Sequence, residues 1–139
     1  MGVFSKIERV KQEIRRRGDY FYYTEWRITG AGARDFIILL KKDTLEPLDY
    51  EYIPSTYGTH PHIVFDVPKD VSEVIRVRYH RTSSGFRNEI VIEECEVRPK
   101  EAGEVSLRCR LVISKKLPRD EVLSSEEEVL EKAYEVIGK

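Results

Sequence analysis

A chain of 139 residues and 16.3 kDa has room for one domain rather than two. It is 40% hydrophobic and 35% charged, with 24 Lys+Arg against 25 Asp+Glu, so apolar runs must be buried while the net charge is only −1. These figures exclude disorder as the main state and remove any global electrostatic case for a nucleic-acid coat or a polybasic membrane binder.

The opening Met1–Lys6 lacks the apolar stretch of a signal peptide, and no run approaches the roughly 20 apolar residues of a membrane helix. A cytoplasmic protein with no membrane partner is the expectation. Gln12 and Asn88 are the only side-chain amides and Met1 the only methionine, a composition that leans toward hyperthermophiles. Residues 5–17 read as a helix, because Ile7, Val10 and Ile14 share one face and Ser5-Lys6-Ile7-Glu8 has capping-box spacing. Gly18 suits the left-handed position that ends it. Its other faces carry Lys6, Arg9, Lys11, Arg15, Arg16 and Arg17 against Glu8 and Glu13, a net +4.

From residue 20 to 114 the apolar period becomes two. Strands are expected at 20–29, 35–41, 48–53, 62–67, 73–81, 86–98 and 104–114, each bounded by Gly, Pro, Asp or Ser. Thr29-Gly30-Ala31-Gly32-Ala33 is followed by no helix, so it reads as a turn rather than a dinucleotide fingerprint. A four-residue loop, Thr82–Gly85, sets Val77 opposite Ile90, Ile75 opposite Ile92 and Arg78 opposite Glu89. The apolar parity then changes between Ile92 and Cys95, which predicts a β-bulge near Glu93-Glu94. A five-residue loop, Lys100–Glu104, sets Val97 opposite Leu107, Glu96 opposite Arg108 and Glu94 opposite Arg110. This meander should be apolar on one face and laced with wet ion pairs on the other. Cys95 and Cys109 fall directly opposite each other and are expected as reduced core thiols.

Ser125-Glu126-Glu127-Glu128 opens a second helix over 125–137, with Leu130, Ala133, Tyr134 and Ile137 as its apolar stripe. Residues 119–139 hold seven acids and three bases, net −4. The two helices are therefore expected to pack side by side, within one chain or across a homodimer. The whole is a single α+β, β-rich domain spanning 1–139: a helix, a β core over 20–114 and a second helix. An antiparallel sandwich or half-barrel of about seven strands is preferred over one bent sheet with both helices on its apolar face.

Five of the 14 aromatics crowd into residues 20–26. If Trp26 and Ile28 point inward, Phe21 and Tyr23 become an exposed stacking pair beside Arg27, suited to a protein partner or to nucleic-acid bases. The tip of the 73–92 hairpin holds Arg76, Arg78, His80, Arg81 and Arg87 with no acid between Val74 and Asn88, the composition of an anion site. His60-Pro61-His62 could aim two imidazoles one way, with Asp66 or Glu51 completing a metal site, or a histidine acting as base with Arg81 or Tyr57 nearby. No third ligand is fixed by spacing, and an ordinary loop pair is the simpler meaning. No metal and no cofactor is called for. The leading expectation is a non-enzymatic binding or assembly module with a protein partner or self-association, presenting the Tyr20–Arg27 strand and the loops at 54–62 and 82–85. A nucleic-acid binder using Arg15–Arg17, Phe21, Tyr23, Arg76, Arg78 and Arg87 is the alternative. A small hydrolase or nuclease around His60 and His62 is the third.

Overall fold

The run Phe36-Ile37-Ile38-Leu39-Leu40 offers no polar face, so a strand built from it must be covered on both sides. The computed structural model describes residues 3–26, 34–54 and 61–138, the first five of these by backbone only. Seven strands lie between two helices: α1 (Val3–Arg17), β1 (Tyr20–Trp26), β2 (Arg34–Lys41), β3 (Tyr50–Ile53), β4 (His62–Pro68), β5 (Glu73–Arg81), β6 (Asn88–Pro99), β7 (Val105–Lys116) and α2 (Glu126–Ile137). They form two antiparallel sheets, a small one ordered β1-β4-β3 and a large one ordered β2-β5-β6-β7.

The sheets stack face to face and each carries one helix on its outer side. Val10 and Ile14 of α1 seal Tyr22, Ile53 and Val64 of the small sheet. Between the sheets, Ile63, Phe65 and Val67 meet Ile37, Leu39, Val74, Cys95 and Val105. On the far side Val129 and Ala133 of α2 cover Ile38, Leu40, Val77, Tyr79, Ile90 and Ile92. β2 thus sends Ile37 and Leu39 to one core and Ile38 and Leu40 to the other, as its unbroken apolar run requires. The expected β-rich sandwich with a helix at either end is this arrangement.

Several local expectations need correction. Within the chain the helices do not lie side by side; they cover opposite outer faces, because each follows the apolar face of its own sheet. α1 begins at Val3, so Ser5 lies inside it and is not its cap. α2 keeps its cap, Ser125 Oγ accepting from Glu128 N at 3.2 Å, while the Glu128 carboxylate accepts from Ser124 N rather than Ser125 N.

The first hairpin is shifted by two residues from the expected register. Val77 faces Ile92, Tyr79 faces Ile90, Arg76 faces Glu93 and His80 faces Glu89. The connecting loop is 82–87, closed by Thr82 N donating to Arg87 O at 2.8 Å, and Phe86 stands 90% exposed in it instead of opening a strand. What fixes this register is Tyr79, fully buried, whose hydroxyl donates to Asn88 Oδ1 at 2.5 Å. Asn88 in turn donates to Pro118 O and Glu121 O, tying the hairpin to the segment that leads into α2.

The second hairpin has the expected register, Glu94 facing Arg110, Glu96 facing Arg108 and Val97 facing Leu107. Its ladder breaks between Ile92 and Glu93, one step before the expected Glu93-Glu94, and the extra residue is Val112 on β7. β6 itself runs without a bulge against β5; its apolar residues change sides because Ile90 and Ile92 serve the α2 core while Cys95 serves the inter-sheet core. Cys95 and Cys109, directly opposite, are joined as a disulfide, against the expected free thiols. Such bonds belong to oxidising settings or to the disulfide-rich interiors of hyperthermophiles.

Candidate functional site

Side chains of β5 alternate between the two cores, and this decides the fate of the arginines. Val74 faces the small sheet, so Arg76, Arg78 and His80 share that covered side, not a wet one. On β1 the same logic turns Phe21, Tyr23 and Glu25 toward the large sheet. Five residues meet in the gap: Tyr23, Glu25, Arg76, Arg78 and Glu93. Glu25 is 9% exposed. Its Oε1 accepts from Tyr23 Oη at 2.7 Å, Arg76 Nη1 at 2.6 Å and Arg78 Nη2 at 2.6 Å. Glu93 accepts from Arg76 Nε at 3.0 Å.

Burial works against the Arg76 charge, but hydrogen bonding to Glu93 and the charge of Glu25 more than offset it, so its pKa rises. Burial, with the Glu25 carboxylate beside it, raises the Tyr23 hydroxyl far above the usual phenol range. Two guanidiniums and two carboxylates balance in charge. The cluster braces one sheet against the other and offers no free cation to an outside anion. Glu25 Oε2 is buried without a hydrogen-bond partner among the described residues.

The other arginines of the supposed anion site have partners of different kinds. Arg81 Nη1 donates to Arg119 O at 2.8 Å, and Arg87 Nε bonds Glu89 at 2.7 Å. His80 is half-buried, between Asp35 and Glu89 in the strand register. The acids missing from residues 74–88 arrive from β1 and β6, which no local count of charges can reveal.

The aromatic strand has both faces covered. Phe21 and Tyr23 pack between the sheets while Tyr20 and Tyr22 lie under α1, so the expected exposed stacking pair does not form. Trp26 is instead the outward one, 61% exposed and edge-on to His62 at 5.3 Å between ring centroids. Arg27, Ile28, the Thr29–Ala33 turn, Tyr57 and His60 lie outside the described residues. His62 is not a loop residue: it is buried at the first position of β4, directly after Pro61, where a proline costs no ladder bond. Its Nδ1 is buried without a partner among the described residues. Asp66 is taken by Arg17 at 2.8 Å and lies four residues along the strand, about 13 Å away, too far to share a metal. No group of three or more His, Cys, Asp or Glu among the described residues could hold a metal ion. No helix among them is long and apolar enough to cross a membrane.

Among the described residues, the longest edge left open is the β7 side of the large sheet. Among the described residues the β1 and β2 edges are each bridged in part and β3 is short. β2 is covered at Leu39–Lys41 by its own returning chain, Leu40 bridging Pro47 and Leu48 N donating to Leu39 O at 2.8 Å. Tyr22 of β1 bridges Glu104, and β3 has only four residues. β7 runs for 12 residues and pairs on one side only among the described residues. Leu111 is 60% and Val112 44% exposed on it. Residues 105–116 contain Arg108, Arg110, Lys115 and Lys116 and no acid, a signal present in the sequence but hidden by the strand's regular apolar alternation.

No protein-family model, no curated protein and no solved structure matches this chain.

Proposed function

We propose that this chain is a non-enzymatic binding module that docks a protein partner along the outer edge of β7. The observation that supports this is the contrast between edges: among the described residues the others are bridged in part or short, whereas the 12-residue β7 pairs on one side only, beside exposed Leu111 and Val112. Unpaired strand edges recruit other chains through main-chain hydrogen bonds unless they are covered. The nucleic-acid alternative loses its support at the β5–β6 hairpin, where Arg76, Arg78, Arg81 and Arg87 already have partners within the chain. The hydrolase reading finds His62 packed under Trp26 at a strand start, in no group of three or more His, Cys, Asp or Glu among the described residues.

Photocrosslinking tests the reading. A benzophenone side chain placed at Leu111, in cells that make the protein, should give a discrete adduct. The same probe on the outer face of α2, at Glu131, should give none. Equal adducts at both positions, or none at Leu111, would defeat the proposal.

A further inference from the structure

Resting on that reading of β7, we infer that the partner is an extended segment alternating acidic and apolar side chains, added to the large sheet as a further strand. The two sides of β7 carry different chemistry. Arg108 and Arg110 lie on the same side as Glu94 and Glu96, the α2 side of the sheet. Leu107, Cys109 and Leu111 lie on the side that faces the small sheet, and Leu111 projects past its cover. A strand laid along this edge places successive side chains on opposite sides. One set would therefore meet guanidiniums and the other would meet Leu111.

The cations have capacity for an incoming acid. Arg110 leans on Glu94 yet stays largely exposed, and Glu96, which faces Arg108 in the register, is bonded to Arg98 instead. Arg108, Lys115 and Lys116 make no ion pair among the described residues. A second copy of this chain is a poor occupant, since two β7 edges would bring Arg108 and Arg110 of both copies into one seam with no acid of β7 between them, and like charges across a ladder repel. The bulge at Val112 limits the straight docking stretch to the half of the strand that carries Arg108, Arg110 and Leu111.

The probe is a dye-labelled peptide alternating glutamate and valine, about eight residues long as an ordinary strand. Its fluorescence anisotropy is read against the full chain at low ionic strength. Binding is expected. It should fall roughly tenfold or more with the Arg108→Gln/Arg110→Gln double variant, which removes both charges without setting like charges across the β6–β7 ladder. It should also be lost when alternate backbone nitrogens of the peptide are methylated in one of the two phases, because that blocks the ladder without touching the protein. Three results overturn the inference: no binding, equal binding of a block peptide of the same composition, or tighter binding of a labelled single-stranded oligonucleotide. If the peptide fails while the Leu111 crosslink still captures a discrete adduct, β7 docks a partner of other chemistry. If both fail, the docking reading falls as well.

Discussion

The β5–β6 and β6–β7 hairpins look alike along the chain, each alternating apolar residues with arginines that face glutamates. In space they differ completely. Arg76 sits under the small sheet, with carboxylates from two strands on its guanidinium, while Arg108 stands at an open edge with no ion pair among the described residues. Both are arginines on antiparallel strands opposite a glutamate, so neither residue type nor pairing separates them. What separates them is whether another layer covers their face. A covered arginine must be matched by carboxylates, since burying an unpaired charge costs several kcal/mol, whereas an uncovered one stays solvated and free to meet a partner.

The contrast can be broken most directly at Glu25. Glu25→Gln leaves Arg76 and Arg78 partly buried around a neutral amide and should lower stability by about 3 kcal/mol in urea unfolding. A loss below about 1 kcal/mol would mean that the cluster is as solvated as the β7 edge. Next in size is the staple on the open hairpin. Reducing the Cys95–Cys109 bond, which closes a loop of sequence separation 14, should cost about 2–3 kcal/mol. Intact mass after alkylation, with and without reductant, checks that the bond is present, and a protein alkylated equally in both states refutes it.

Alkaline pH probes the covered side again. Tyr23 holds its proton more tightly when folded, while an unfolded tyrosine loses it near pH 10.0. Above that pH the unfolded chain binds fewer protons, so stability is complete below about pH 10 and falls as pH rises, by at most about 1.4 kcal/mol per unit from this group. Tyr23→Phe should therefore be weaker at neutral pH, having lost its bond to Glu25, but should show a shallower decline above pH 10. Parallel curves would place Tyr23 in water. The smallest effect belongs to Arg108→Ala, expected to change stability by no more than about 0.5 kcal/mol. A loss comparable with that at Glu25 would show that the open edge is not open.

Much of this was legible from local pattern. The period-two runs, the Pro and Gly boundaries, Gly18 and the Ser125 cap located both helices and all seven strands to within a few residues, because those signals act through the backbone of the residues that carry them. The β6–β7 register was legible because a short loop and two Glu–Arg pairs agree on it. The β5–β6 register was not: its loop is two residues longer, and the residue that decides it, Asn88, acts through carbonyls of Pro118 and Glu121, roughly thirty residues away. Charge balance misled for the same reason. An acid-free stretch from Val74 to Asn88 looks like an anion site until Glu25 is brought across from the other sheet.

By itself, then, the order of residues determined which segments become helix or strand and which side of each must be apolar, since period, propensity and capping are short-range properties. Only the stacking of one sheet on the other decided which apolar side became which core, which arginines were enclosed, and which strand was left with an unpaired edge. Those outcomes depend on what covers a surface, and the covering layer comes from distant parts of the chain.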